Sequence, residues 1–262
     1  MPVTRKRIYY ETAGQGPAVL FIHPPGMGHI TFRRQKEELS RSFKVIAMDL
    51  RGNGRSSLYN SRPLTMETIA EDMISVLDHA RVKQAYICGY SNGGSMVLEA
   101  AINYPDRVKG VILLGGFPEV NSFLLRNEFK LGIWAAENKW MGLLAGALAG
   151  AHEWKSLKNM WQLASYVKRT PPEVLEEYYR IGLEYKATDR LGKIQCPMLL
   201  VYGQRADYLH HYRKLFARKL RAPLDMILVG NVAHQTPTRK GSAINKIVKD
   251  FIVKHEAAPT LH

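Results

Sequence analysis

A strand, a tight glycine-flanked turn and a helix in direct succession constrain this chain more than any other feature. Ala85-Tyr86-Ile87-Cys88 is an apolar run suited to a buried strand, Gly89-Tyr90-Ser91-Asn92-Gly93 follows, and Ser95 to Ala101 reads as a helix. Passing from strand to helix so abruptly forces the central residue into a strained backbone costing about 1–3 kcal/mol. Glycines on either side keep such a turn free of side-chain clashes. The helix then aims its free N–H groups, and the positive end of its dipole, back at the turn. Ser91 at the apex of this G-x-S-x-G pattern is placed for nucleophilic attack. The bare pattern also fits a serine that merely caps a helix, so the residues around it must decide.

A serine hydroxyl is a poor nucleophile near neutral pH and needs an adjacent base, which in turn needs orienting. Two later strand ends supply candidates. Pro197 to Tyr202 is an apolar strand ending at Gly203, with Asp207 shortly after it, and Leu224 to Val229 is another, with His234 in the loop beyond. Ligands of open α/β sheets bind outside the carboxyl ends of strands, where both candidates fall. His234 is thus read as the base and Asp207 as the acid that orients it. Asp207 also suits a helix cap near Leu209, and His23, which ends the strand Ala18 to Ile22, is the rival base.

Taken together, these residues resemble the α/β-hydrolase superfamily over nearly the whole chain. His23-Pro24-Pro25-Gly26-Met27-Gly28 is similar to the family's His-Gly oxyanion loop, and Asp49-Leu50-Arg51-Gly52-Asn53-Gly54-Arg55-Ser56 to its D-x-R-G-x-G-x-S loop. The resemblance implies a catalytic Ser91, Asp207 and His234, with an oxyanion held by the N–H of Asn92 and of Gly26. It departs from the family in three places. Pro24 stands where the family has the glycine of His-Gly, Pro25 stands where it takes an oxyanion-hole N–H that proline lacks, and Gly203 to Asp207 is one residue longer than the common G-x-x-D spacing.

Further apolar runs at Arg7–Tyr10, Lys44–Met48 and Val108–Leu114, separated by helical patterns such as Glu67–Leu77, predict a mostly parallel central sheet with helices on both faces. Residues 1–117 and 187–262 are expected to form this core. The resemblance implies that residues 118–186 form an inserted helical lid. All four tryptophans lie in that insertion, together with several tyrosines. Trp134, Trp140 and Trp161, with Tyr90, are expected around the substrate pocket, other rings serving to hold the insertion together.

Composition narrows the function classes. There is no apolar leader and no run long enough for a membrane span, and with only Cys88 and Cys196 the thiols are expected to be reduced in a cytoplasm. No zinc spacing, P-loop or dinucleotide fingerprint occurs, so neither a metal nor a cofactor is expected. The formal charge of +14 is concentrated in the last third of the chain. It reads either as a solvated surface or as a site for acidic partners; nucleic acid is not expected, because stacking aromatics are not interleaved with the cations. Ester hydrolysis on a hydrophobic small molecule is the expected activity. The alternatives are a ligand-sensing module with weak turnover that signals to a protein partner, kept open by the oxyanion-loop proline and the basic last third, or another chemistry on the same triad: amide, lactone or carbon–carbon bond cleavage, or perhydrolysis.

Overall fold

The apolar runs become the strands of one sheet. The computed structural model describes residues 8–58 and 62–257. Its strands are β1 (Tyr10–Ala13), β2 (Ala18–Ile22), β3 (Lys44–Met48), β4 (Ala85–Tyr90), β5 (Val108–Leu114), β6 (Met198–Gly203) and β7 (Leu224–Val229). They lie in the order β1-β3-β2-β4-β5-β6-β7. All neighbours are parallel except β1, which pairs antiparallel with β3 in the register Tyr10 to Met48.

The helices are α1 (Arg33–Leu39), α2 (Met66–His79), α3 (Asn92–Asn103), α4 (Phe123–Glu137), α5 (Met141–Glu153), α6 (Leu157–Val167), α7 (Pro172–Glu184), α8 (Asp207–Lys219), α9 (Thr236–Arg239) and α10 (Gly241–Ala257). Successive side chains of a strand point to opposite faces, so each central strand feeds two cores. Leu20 and Ile22 of β2 pack with Ile69 and Met73 of α2, Val97 of α3 and Phe216 of α8. Val19 and Phe21 pack on the other side with Leu39 of α1 and Val248 and Phe251 of α10. Being covered on both faces is why β2, β4 and β6 read as unbroken apolar runs.

The first strand differs from the expectation. It spans Tyr10–Ala13 rather than Arg7–Tyr10, and Arg7 lies outside the described residues. At an edge, only alternate residues need to be buried, so Glu11 and Thr12 belong to a strand although they are polar. The opposite edge, β7, leaves Met226, Ile227 and Leu228 exposed at 41%, 36% and 41%.

Helices α4 to α7 form the segment between β5 and β6. Its two ends meet: the Ala187 N–H donates to the Pro118 carbonyl at 2.9 Å, and Glu119 forms an antiparallel bridge with Lys186. Glu99 on α3 ties down the returning strand of chain. Its carboxylate accepts two hydrogen bonds from Arg190, at 3.0 and 2.8 Å, and one from the Tyr185 hydroxyl at 2.9 Å. Those donors hold its pKa below the usual carboxylate value, against the burial that opposes them.

Candidate active site

The turn after β4 has the strain its sequence implies. Ser91 sits at φ 54° and ψ −127°, a region that non-glycine residues rarely occupy. Neighbouring backbones come too close to admit side chains. A Cβ on Gly89 would lie 2.5 Å from the Gly93 carbonyl oxygen, and one on Gly93 would lie 2.5 Å from that of Ile22. The Ser91 N–H donates to the Leu114 carbonyl at 2.9 Å, which locks the turn to the end of β5.

His234 reaches this serine from the loop after β7, with its Nε2 2.8 Å from the Ser91 Oγ. With the hydroxyl donating to Nε2, that nitrogen is unprotonated and the ring proton sits on Nδ1. Among the described residues, Nδ1 has no hydrogen-bond partner and is buried. The ring stacks obliquely near Tyr90, at 5.2 Å between centroids. Burial lowers the imidazole pKa to about 4, so the ring is neutral at pH 7.

Asp207 is not brought to His234. It opens α8, its carboxylate is 87% exposed, and the imidazole Nδ1 of His210 lies 3.5 Å from it. The extra residue in the spacing explains the displacement. Gly203 to Ala206 runs beside the histidine loop, with Gln204 N–H donating to Val229 and Arg205 N–H to Val232, both at 2.9 Å. The residue three beyond Gly203 is Ala206, fully buried, and the carboxylate one step further has rotated outward with the first turn of the helix. The histidine's rear nitrogen also faces glycine: a Cβ on Gly115 would lie 2.7 Å from Nδ1.

His23 has no free nitrogen for catalysis. The Leu50 N–H donates to its Nε2 at 2.9 Å, and its Nδ1 lies 2.8 Å from the Pro24 carbonyl oxygen and 3.1 Å from the Gly28 N–H. It is a buried structural ring whose pKa is lowered, by burial first, to about 4. The same loop carries Gly26, expected from the sequence to donate to an oxyanion. The Gly26 N–H is already committed to the Asn53 Oδ1 at 2.6 Å, and Pro24 and Pro25 have no N–H to offer. The Asn92 N–H remains, at the first position of α3, where no intrahelical acceptor exists. Asn92 also buries its carboxamide, with neither polar atom partnered among the described residues.

The D-x-R-G-x-G-x-S loop is a scaffold for this arrangement. Asp49 accepts from the His29 N–H at 2.7 Å and from the Arg55 N–H at 2.8 Å, while Arg51 makes a buried two-pronged pair with Asp72 at 2.7 and 2.8 Å. The carbonyl of Arg51 accepts from the Tyr178 hydroxyl of α7 at 3.0 Å, which joins the loop to the inserted helices.

A cavity of about 270 Å³ opens at Ser91, lined on the sheet side by Pro24, Pro25, Met27, Tyr90, Asn92 and His234. Leu125, Phe129 and Gly132 of α4, Leu144 and Leu148 of α5, and Tyr179 of α7 close it from the inserted segment. The positions on α4 follow i, i+4, i+7, one face of a helix. His152 of α5 and Glu128 of α4 also line it, neither of which the sequence reading singled out. Burial lowers the His152 pKa to about 3 and raises that of Glu128. A histidine on an apolar helix face with no strand end beside it gives no sequence signal, since only the packing of the helix turns it inward.

The tryptophans differ from expectation. Trp134 packs edge-on against Trp140 with centroids 4.7 Å apart, and both rings stay partly exposed. Trp134 follows Gly132 by two positions, about 200° around the helix, so it points away from the cavity. Trp161 is 77% exposed and lines a separate groove of about 640 Å³ with Arg33, Lys158 and Arg169. Of the aromatic pocket candidates, Tyr90 alone reaches Ser91's cavity. Cys88 and Cys196 are both free thiols. Among the described residues, no helix is long and apolar enough to cross a membrane.

Known proteins share this architecture. The profile of the alpha/beta hydrolase fold matches residues 17–214. The chain is 24% identical over 246 residues to a pimeloyl-[acyl-carrier protein] methyl ester esterase of Nitrosospira multiformis, covering 87% of this chain and 91% of that one. Among solved structures it is similar to a thermophilic esterase from Thermogutta terrifontis, with TM-score 0.80 and 22% identity over 95% of this chain and 93% of the other. An esterase from Exiguobacterium antarcticum superimposes with TM-score 0.85 at 16% identity, covering 96% and 99% of the two chains.

Proposed function

The chain belongs to the α/β-hydrolase fold family, and within it we propose a serine hydrolase that cleaves carboxylic esters with a hydrophobic acyl or alcohol part. Ser91 is the nucleophile and His234 the base. The observation that carries this reading is the 2.8 Å approach of His234 Nε2 to Ser91 Oγ at the floor of an apolar cavity. Relatives named as esterases support the same reaction class.

Ser91 Oγ attacks the ester carbonyl as its proton passes to His234 Nε2, and the Asn92 N–H, with the α3 dipole behind it, receives the charge on the carbonyl oxygen. The leaving group departs, and water activated by His234 then releases the acyl group from Ser91. Helices α4 to α7 act as the lid, excluding water and supplying the apolar wall. The unit at work is a Ser–His pair, since Asp207 faces solvent. Hydrolysis of p-nitrophenyl butyrate should fall at least about 10³-fold in Ser91→Ala, and a fluorophosphonate should label Ser91 and no other residue. Equal rates for wild type and variant would reject the mechanism.

The bare Nδ1 of His234 and the prolines of the oxyanion loop favour one second reading, a module that holds its ligand with little turnover and signals to a partner protein. A turnover number of about 10 s⁻¹ on a simple ester, ordinary for an enzyme, would eliminate it.

A further inference from the structure

Resting on the esterase reading, we infer that this site is selective for activated acyl groups: esters, enol esters or thioesters whose leaving atom departs as a stable anion without needing a proton. The rear of the catalytic histidine carries the argument. A carboxylate behind a catalytic imidazole does two things: it fixes the ring tautomer and it stabilises the imidazolium formed as serine attacks. Here neither is provided. Among the described residues His234 Nδ1 has no partner, Ala206 stands where G-x-x-D spacing would put a carboxylate, and Asp207 points to solvent. Gly115, the residue packed against Nδ1, offers no polar side chain.

The front of the site is reduced in the same sense. The Gly26 N–H is held by Asn53, which leaves the Asn92 N–H, without an intrahelical acceptor at the start of α3, as the donor beside Ser91. Losing the orienting acid from a triad costs about 10⁴-fold and losing one oxyanion donor about 10²–10³-fold, so both charges of the tetrahedral intermediate are under-supported. Burial, which lowers the imidazole pKa to about 4, makes the imidazolium more costly still.

An activated substrate eases both deficits in the acylation half, the half that kcat/KM reports. When the carbonyl is activated, attack on it has an early transition state with little charge on oxygen and little proton transfer. The Ser91 Oγ–C bond forms as the Oγ–H proton moves to His234 Nε2. The bond from carbon to the leaving oxygen or sulfur then breaks, and that atom keeps the bonding pair and departs as an aryloxide, enolate or thiolate. The proton on His234 passes to solvent, or to the departed anion. In the second half, water gives a proton to His234 while its oxygen bonds to the acyl carbon. Ser91 Oγ leaves and recovers that proton, releasing the carboxylic acid. An alkyl ester has no such ease in the first half, since its alkoxide must take the proton from His234 as it leaves, with both charges fully developed.

The test is a series of butyrate esters with p-nitrophenyl, phenyl, trifluoroethyl and ethyl leaving groups, run on wild type and on Ala206→Asp. In wild type, kcat/KM should fall by about 10³-fold or more across the series. Ala206→Asp places a carboxylate at the mouth of α8, a favourable capping position, and should shrink that span at least about 10-fold by raising the ethyl rate. Wild-type rates that agree within about 10-fold across the series would overturn the inference while leaving the esterase reading intact. So would a folded Ala206→Asp, judged by its thermal melt, with an unchanged span. Should that variant fail to fold, the wild-type span decides alone. No turnover of any member would overturn the esterase reading, and this inference with it.

Discussion

Two strand-to-helix turns leave the same edge of the sheet, one at 89–93 and one at 203–207, and they have fared differently. The first is built by close backbone contact: Ser91 is held at positive φ between glycines where an added Cβ would lie 2.5 Å from a backbone carbonyl oxygen. The second is built by hydrogen bonds to the histidine loop, and Ala206 occupies its buried corner while Asp207 lies one position along, in water. A serine held on so tight a turn has little room to move. A carboxylate on the first turn of a helix is carried about 100° around by a single added residue. The comparison teaches that the same G-x-x pattern of motif matching is robust at one turn and fragile at the other.

The largest way to break the first turn is Gly93→Ala. Its Cβ would lie 2.5 Å from the Ile22 carbonyl oxygen and 3.0 Å from that of His23, so α3 must shift. A displacement near 1 Å at the nucleophile costs about 10²-fold, which is the loss of kcat/KM expected on p-nitrophenyl butyrate in a variant that still melts cooperatively.

The pH profile sharpens the contrast by reporting what stands behind His234. The base must be neutral to accept the serine proton, and a lowered pKa keeps it neutral further into acid. With the ring titrating at about 4, kcat/KM on the same ester should remain nearly level from pH 8 down to 5.5. An imidazole at its ordinary value of about 6.5 would retain roughly a tenth of its neutral form at pH 5.5. A midpoint near 6.5 would show that the ring is hydrated or paired.

The smallest effect is expected at the second turn. Asp207→Asn removes an exposed charge with no contact to the histidine, so kcat/KM should change by less than about 3-fold. The corresponding change in a complete triad costs about 10⁴-fold, so the two alternatives are separated by orders of magnitude in one assay.

Much of the fold was legible because the central strands are buried on both faces and so leave continuous apolar runs. The runs at 18–22, 44–48, 85–90 and 198–203 each became a strand with nearly the expected limits. Tyr10–Ala13 was harder to read, since an edge strand buries only alternate residues. The inserted helices were the least legible in detail. Trp134 and Trp161 look like pocket residues by type, yet helix phase turns Leu125, Phe129 and Gly132 inward and leaves both tryptophans substantially in solvent.

The chain's own residues were enough to determine the parallel sheet, the serine on its turn and the histidine that meets it, because each depends on local pattern: apolar run, glycine spacing, strand end. Which polar atoms lack partners was decided only by tertiary packing. Pro25 announces a missing donor, but that Asn53 captures the Gly26 N–H, and that none of the described residues pairs with His234 Nδ1, depends on loops tens of residues apart arriving within about 3 Å of one another. Hydrogen bonds are decided over tenths of an ångström, a scale at which one inserted residue in a turn outweighs any match of motif.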